Sequence, residues 1–464
     1  MVEKGYGSMI RLDDIRTVYF IGIGGIGMSA LARYFLSRGC TVAGYDRTPT
    51  QLTRTLEAAG MQIVYREETE GIPDQPDLVI YTPAIPQTNL IYRHFRDHGT
   101  EMLKRSDVLG IISEGTENIC IAGTHGKTTI STMTAHLLRH AGYGCNAFLG
   151  GISSNYDTNF WAHERRTSVI EADEFDRSFL KLSPDIAAIS AMDPDHLDIY
   201  GTAEAMEDAF IDFSRRVRPG GMLFAHHQLH RLRDLQGPVT TYSLEDKGAD
   251  IHASGPVPRD GAYHYDVHGR GWTLSDVTLN MGGRHNVENS LVAIGIAKQL
   301  GIQDDAIRAA IADFKGVRRR FEYRLRTPRQ VYIDDYAHHP EELKALILGA
   351  RDMFRGKRCT VVFQPHLFSR TRDFAKGFAQ SLDLADEVLL LPIYPARELP
   401  MEGVDSRLIG TKMEETHFYL DSLDAVLHWL DTNRIELLIT AGAGDIDQLA
   451  DPITYLLRKK NDGR

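Results

Sequence analysis

At 464 residues the chain is too long for one ordinary hydrophobic core, and typical domain sizes suggest about three domains. Hydrophobic content of 42%, charged content of 25% and 41 glycines spread along the chain exclude disorder and a coiled coil, and favour mixed α/β structure. A formal net charge of −11 disfavours nucleic acid as a general partner, although a local basic patch can still hold an anion.

The opening MVEKGYGSMIRLDDI is polar and lacks the apolar core of an export signal; Met1 and Met9 are both possible starts. No window reaches the roughly 18 apolar residues a membrane span needs, so a cytoplasmic chain without a membrane partner is expected. Cys40, Cys120, Cys145 and Cys359 lie far apart, which suggests neither a zinc site nor a disulfide framework. The chain then reads as three nucleotide-fold-like segments. The first, residues 1–114, has strands at VYFIGIGG, CTVAGYD and DLVIYTPAIP. The second, 115–322, opens with strand ENICIAG, a glycine loop and a helix from about Lys127 to His140. It continues with strands at TSVIEADE and DIAAISAMDPDH, then a polar stretch from Asp250 to Leu279 that reads as antiparallel hairpins. The third, 323–464, has strands at QVYIDDYAHHP, RCTVVFQPH, EVLLLPIY and ELLITAGAG. Two basic runs stand out, RRVR (Arg215 to Arg218), read as a solvated helix end, and VRRRF (Val317 to Phe321).

The stretch ICIAGTHGKTTIS departs from the usual phosphate loop, G-x-x-x-x-G-K-[ST], because only two residues separate Gly123 from Gly126. The physics of such a loop survives the shorter spacing. A strand, a glycine turn and a helix bring backbone N–H groups and the positive helix end around an anion. Lys127 adds a cation for terminal phosphates, and Thr128 offers a hydroxyl to Mg²⁺. Two further strand ends place acids in the same region: Glu171, Asp173 and Glu174 in SVIEADEFD, and Asp193, Asp195 and His196 in AISAMDPDHLD. Ligands of parallel sheets bind beyond the carboxyl ends of the strands, so these groups and the loop are expected to share a crevice. Thr128 and Glu171 suit a hard cation, and His196 is a softer addition.

In the first segment Gly22, Gly24 and Gly27 form G-x-G-x-x-G after a strand, and Asp46 ends the next strand 19 residues beyond Gly27. By pattern this is a dinucleotide fingerprint, but the glycines require only a diphosphate, which a UDP-sugar also carries. In GGRHNVENS, His285 can stack on a base, while Asn286 and Asn289 share a helix face.

GTHGKTT, EADEFDRSF, MDPDHLDIYG, GRHNVEN, RRRFE, DDYAHHP and FQPHLFSRTRD follow one another in this order, and together they resemble the Mur ligases of peptidoglycan synthesis. The likeness runs from VYFIGIGGIGMSA to TAGAGDI. It implies a UDP-binding Rossmann-like domain, a central P-loop ATPase-like domain and a C-terminal Rossmann-like domain that receives an amino acid. ATP is implied at Gly123, Thr124, His125, Gly126, Lys127, Thr128 and Thr129, with His285, Asn286 and Asn289 on the adenine side. Arg320 and Asp335 are implied to reach the nucleotide. UDP-N-acetylmuramate is implied at Gly22, Gly24, Gly25, Ile26, Gly27, Met28 and Ser29, with Asp46 and Glu174. Mg²⁺, or Mn²⁺ in its place, is implied on Thr128, Glu171 and His196. Tyr336, His338, His366 and Arg370 are implied to surround L-alanine. Leu367 departs from the pattern, since many alanine-adding members carry arginine after the histidine.

The implied reaction activates a carboxylate as an acyl phosphate and transfers it to an amine, with Lys127, Glu171, His196 and Arg320 as catalytic residues. Glu174 and His196 are both candidates for the base that takes the amine proton. Arg318 and Arg319 read as solvated neighbours of Arg320, while His339 and Arg372 read as core or surface residues as readily as functional ones. The rival readings are a related ligase that adds an intact tripeptide to the same UDP-sugar, an NAD-dependent oxidoreductase, and a non-catalytic nucleotide-binding module. ATP and acceptor contacts fall on different segments, so a closing movement is expected, in a monomer or a homodimer.

Overall fold

The computed structural model describes residues 11–73, 75–194, 197–396 and 398–462. By contacts it separates into two compact units. The first holds the residues up to 152 with 157–242 and 292–302; the second holds 153–156, 243–291 and 303–464. Strands gather in three sheets along the chain, the architecture of a three-domain α/β protein.

In the first unit β1 (Thr17–Ile21), β2 (Thr41–Tyr45), β3 (Gln62–Val64), β4 (Leu78–Tyr81) and β5 (Met102–Lys104) form a parallel sheet in the order β3-β2-β1-β4-β5. The central strands are continuous apolar runs because both faces are covered, as parallel sheets require. The order reverses beside β1, so the glycine turn leaving β1 lies at the topological switch point where such sheets bind ligands. β6 (Glu117–Ala122), β7 (Asn146–Ser153), β8 (Thr158–Trp161), β9 (Thr167–Glu171), β10 (Ile186–Ile189), β11 (Met222–His226) and β12 (Val239–Ser243) follow in the order β12-β11-β10-β6-β9-β7-β8. β6 is parallel to both β9 and β10, so all three end at the same edge.

One apolar core joins these two sheets. Residues of the helix Ile26–Ser37 and strand β1 cluster with Phe148, Phe160, Ile170 and Phe210. Tyr34 on that helix has its ring 5.6 Å from Phe148 and 6.1 Å from Phe160. Polar ties follow the same seam: Asn159 donates to Ile26 O at 2.6 Å and Ser29 Oγ at 3.0 Å, and Arg105 meets Asp173 at 3.2 Å.

In the second unit β13 (Ile251–Arg259), β14 (Ala262–Gly269) and β15 (Trp272–Leu279) form the antiparallel meander expected from the sequence. The third sheet comprises β16 (Glu322–Arg326), β17 (Val331–Asp335), β18 (Cys359–Phe363), β19 (Glu387–Leu390), β20 (His417–Tyr419) and β21 (Leu437–Ala441). Its order is β16-β17-β21-β18-β19-β20, and only β16 runs antiparallel to its neighbour. A core of Tyr332, Val362, Leu389 and Leu438 packs against Val426, Leu430, Ile453 and Leu457.

Two readings of the basic runs need correction. RRVR is not wholly a solvated helix end: Arg218 is half-buried, donates to Ser113 O at 2.8 Å and Thr116 O at 2.9 Å, and pairs with Asp185 at 3.0 Å. Arg319 is likewise not a surface cation, because its guanidinium reaches Asp334 and the carbonyl of Gly442. Neither partner is near in sequence, so composition alone gave no signal. β3, β5 and β20 escaped prediction because they are three residues long, and Gly150-Gly151 interrupts the β-propensity of β7. Among the described residues no helix is long and apolar enough to cross a membrane.

Candidate active site

The phosphate loop leaves β6 at Gly123 (φ +131°) and enters the helix Lys127–His140 at Gly126 (φ +81°). Both residues occupy backbone conformations that side chains disfavour. A Cβ on Gly123 would also overlap Ser190 Oγ and lie 2.8 Å from Ala191 N, so β10 is packed directly against the loop. Thr124 N donates to Ala191 O at 3.1 Å, Thr124 Oγ1 accepts from Asp193 N at 3.1 Å, and Ser190 Oγ donates to His125 O. His125 is exposed, with Nε2 3.5 Å from Asp193 Oδ2, whereas Thr129 is buried. The loop is thus held in shape by Ser190, Ala191 and Asp193, which follow β10.

The acidic strand end supplies a partner to each polar loop side chain. Lys127 Nζ donates to Gly123 O at 2.7 Å and to Glu174 Oε1 at 2.8 Å. Glu174 is 1% exposed, its Oε2 is buried without a hydrogen-bond partner among the described residues, and its main-chain carbonyl accepts from Tyr200 OH at 2.6 Å. Burial raises its pKa, and the Lys127 ammonium opposes the rise. Glu171 accepts from Thr128 Oγ1 at 3.0 Å, Ser131 Oγ at 3.4 Å and Gly150 N at 2.9 Å. Thr128 and Glu171 therefore converge as an all-oxygen pair, the donor chemistry that suits Mg²⁺. Asp195 and His196 lie outside the described residues. Among those described, no three His, Cys, Asp or Glu side chains gather as a metal cluster.

At the end of β1, Gly22 (φ +89°) turns the chain into the helix Ile26–Ser37, whose N-cap is Gly25. Asp46, the acid of the fingerprint, accepts from Gly24 N at 2.8 Å and braces the turn itself. Met28 and Ser29 are buried, and the Ser29 amide is already committed within the helix to Gly25 O at 2.8 Å. Sequence reasoning missed Arg105. A Cβ on Gly27 would meet its Nη1 at 2.5 Å, so this glycine makes room for a guanidinium that also pairs with Asp173. Gly150 and Asn159 were missed too, because Gly150 acts on the neighbouring strand β9 and Asn159 across the seam between sheets, and neither contact has a short sequence motif.

In the second unit, Asn286 and Asn289 are buried and linked: Asn289 Nδ2 donates to Asn286 Oδ1 at 3.2 Å, and Asn286 Nδ2 donates to Gly282 O at 2.7 Å. His285 is exposed beside Gly283. Arg320 is exposed, with its guanidinium 6.0 Å from the Tyr336 ring. Asp335 accepts from Phe321 N at 2.6 Å and Ala337 N at 2.7 Å, fixing the turn after β17. Desolvation raises its pKa, while the Phe321 amide and Arg320 act against the rise.

Tyr336, His338, His366 and Tyr394 form a chain of rings, with successive centroids 5.2, 6.1 and 5.9 Å apart. Desolvation lowers the His338 pKa against the opposing charge of Glu342. Arg370 keeps one guanidinium nitrogen, Nη1, buried with no hydrogen-bond partner among the described residues. Leu367 sits at φ +69°, ψ 136° as N-cap of the helix Phe368–Leu382, an unusual conformation for a branched side chain. His339 caps the helix Pro340–Met353, and Arg372 pairs with its exposed neighbour Asp373.

Three family models match in succession: Mur ligase family, catalytic domain, over residues 17–116; Mur ligase middle domain over 121–297; and Mur ligase, glutamate ligase domain, over 319–444. The chain is 46% identical over 456 residues to the UDP-N-acetylmuramate--L-alanine ligase of Phocaeicola vulgatus, covering 97% of this chain and 100% of that protein. It is 44% identical over 460 residues to the protein of the same name from Cytophaga hutchinsonii, covering 97% and 99%. The crystal structure of UDP-N-acetylmuramate-alanine ligase from Thermotoga maritima superposes with a TM-score of 0.83 at 27% identity, covering 97% of this chain and 100% of that one. A murein peptide ligase from Psychrobacter arcticus shares the fold, with a TM-score of 0.64 at 23% identity over 95% and 98% of the two chains. With the phosphate loop, its acidic partners and relatives matched end to end, the chain belongs to the Mur ligase family.

Proposed function

We propose that the chain is an ATP-dependent ligase that joins L-alanine to UDP-N-acetylmuramate in peptidoglycan precursor synthesis. The observation that carries this reading is the rigid phosphate loop, with Lys127 and Thr128 each on a carboxylate, in a chain that matches L-alanine ligases over 97% of its length. The lactyl carboxylate of the UDP-sugar attacks the γ-phosphorus of ATP, giving an acyl phosphate and ADP. The amine of L-alanine then attacks the acyl carbon, loses a proton and expels phosphate. A free carboxylate is a poor acyl donor, so the phosphoryl group supplies the leaving group.

Catalysis here is mainly positioning and charge stabilisation. Lys127 exchanges Glu174 for phosphate oxygens, and the loop amides hold the chain of phosphates. Arg320 is assigned to the transferring phosphoryl group, and Arg370, whose buried Nη1 has no hydrogen-bond partner among the described residues, to the amino-acid carboxylate. Thr128 and Glu171 would hold Mg²⁺, which supplies charge neutralisation on the phosphates. The Gly22–Ser29 turn is assigned to the UDP diphosphate. Asp46 braces that turn through Gly24, which leaves it tied to the loop and supports a UDP-sugar over a dinucleotide. We infer functional domain boundaries near residues 114 and 322.

Phosphate release from ATP and Mg²⁺ with UDP-N-acetylmuramate, comparing L-alanine with L-Ala-γ-D-Glu-meso-diaminopimelate, tests the assignment. Release dependent on L-alanine is expected; release only with the tripeptide would move the chain to the tripeptide-adding activity. Lys127→Ala is expected to lower turnover at least about a hundredfold, because removing one donor from a desolvated site costs about 3–4 kcal/mol. Wild-type turnover in that variant would sink the role given to Lys127.

A further inference from the structure

Arg320 stands between two residues with left-handed backbone, Arg319 (φ +59°) and Phe321 (φ +49°). Non-glycine residues adopt this conformation only where their surroundings hold them there. For Phe321 the restraint is Asp335, which accepts its amide at 2.6 Å. For Arg319 the restraints are more numerous. Its N–H donates to Glu322 Oε2 at 2.9 Å, and its carbonyl accepts from Tyr336 N at 2.8 Å. Its guanidinium donates to Gly442 O, lies 3.4 Å from Asp334 Oδ2, and sits 5.2 Å from the centre of the Tyr336 ring.

These contacts reach the ends of two neighbouring strands. Asp334 and Tyr336 belong to the end of β17 and the turn after it, and Gly442 follows β21. Asp334 is 1% exposed and is held on its other side by Thr440 Oγ1 at 2.5 Å, which in turn meets Tyr332 OH at 3.0 Å. One side chain therefore connects the backbone that carries Arg320 to the strand ends that carry the ring of Tyr336. Arg320 itself is exposed, and its guanidinium lies 6.0 Å from the centre of the Tyr336 ring, which it shares with Arg319.

We propose that Arg319 is a positioning residue: it fixes the backbone of Arg320 and the ring of Tyr336 in one relation, so that the phosphate-directed arginine and the acceptor-side ring are set together. The assignment rests on the reading of Arg320 given under Proposed function. Lysine is expected not to replace it, because a single ammonium cannot span the Gly442 carbonyl and the side chain of Asp334 as the two ends of a planar guanidinium do.

The test compares Arg319→Lys, Arg319→Ala, Asp334→Asn and Arg320→Ala in the full-length enzyme, by steady-state kinetics in all three substrates and by thermal melting. Arg319→Lys is expected to lower kcat roughly ten- to a hundredfold, the cost of misplacing a group by about an ångström. Its KM for UDP-N-acetylmuramate is expected to stay within about twofold of wild type, and Arg319→Ala is expected to be worse than Arg319→Lys. A packing role alone would lower the melting temperature and leave kcat per folded enzyme unchanged, and that result would overturn the proposal. If Arg319→Lys does not fold, Asp334→Asn assayed at about pH 8.5, where the wild-type acid is ionised, decides: a kcat loss with unchanged UDP-sugar KM supports positioning, and unchanged kcat refutes it. Full activity in Arg320→Ala would refute the reading of Arg320 and the positioning role with it. A dead Arg320→Ala beside a fully active Arg319→Lys would remove the positioning role alone.

Discussion

Lys127 and Glu174 meet at 2.8 Å where the carboxylate is almost wholly withdrawn from water. When phosphate takes the ammonium, Glu174 keeps a buried charge with one oxygen already lacking a partner among the described residues. A neutral isostere removes that cost. Glu174→Gln is therefore expected to bind a non-hydrolysable ATP analogue more tightly than wild type, by a few-fold in calorimetric titration; weaker binding would show that Glu174 supports the nucleotide rather than competing for Lys127. Asp334 gives a second prediction at this scale. Burial, opposed by Arg319, pushes its pKa up to about 7 from 3.8, so the folded protein favours the neutral acid. That preference stabilises fully below the unfolded value and is lost as pH rises through about 7. The melting temperature of Asp334→Asn relative to wild type should accordingly rise between about pH 4 and about pH 7 and level off above that, and a flat difference throughout would count against the shifted acid.

Among the elements, β7 shows how a strand can serve a site without supplying a side chain. Gly150 donates its N–H to Glu171 Oε2 at 2.9 Å, and a Cβ there would overlap the same carboxylate. Gly150→Ala is expected to push Glu171 away from Thr128 and raise the Mg²⁺ concentration needed for half-maximal activity several-fold, at nearly unchanged UDP-sugar KM. Magnesium titration of the variant checks this, and an unchanged requirement would separate Glu171 from the metal. The loop-to-helix element Gly123–His140 was legible in full, because strand, glycines and helix start are local in sequence. Glu171 and Glu174 were legible as acids at a strand end, but their division of labour was not. It depends on contacts made across the fold: Glu171 meets Thr128, Ser131 and Gly150, whereas Glu174 meets Lys127.

At the scale of the molecule, the first unit carries two sheets on one core, with Phe160 packed against Tyr34 and Phe148 at the seam. Phe160→Ala removes a buried aromatic side chain there and is expected to cost about 3–5 kcal/mol. Since the seam also positions the helix that begins at the glycine turn, the loss should appear in denaturant unfolding and as a raised KM for UDP-N-acetylmuramate. Stability lost with an unchanged KM would show that the turn is held independently of the seam.

The sequence by itself determined the α/β class, the phosphate loop, the meander and the order of motifs that marks the family, because each is written in residues close together along the chain. Periodicity, glycine placement and strand-end acids report local backbone physics, and that physics does not depend on distant partners. Only the tertiary structure decided that Asp46 braces its own loop, that Gly27 accommodates Arg105, and that Arg218 and Arg319 are internal ties rather than solvated charges. A charged side chain reads the same on a surface and in a core. What it does depends on which carbonyl or carboxylate the fold brings to it, and for Arg319 that is Gly442, 123 residues away.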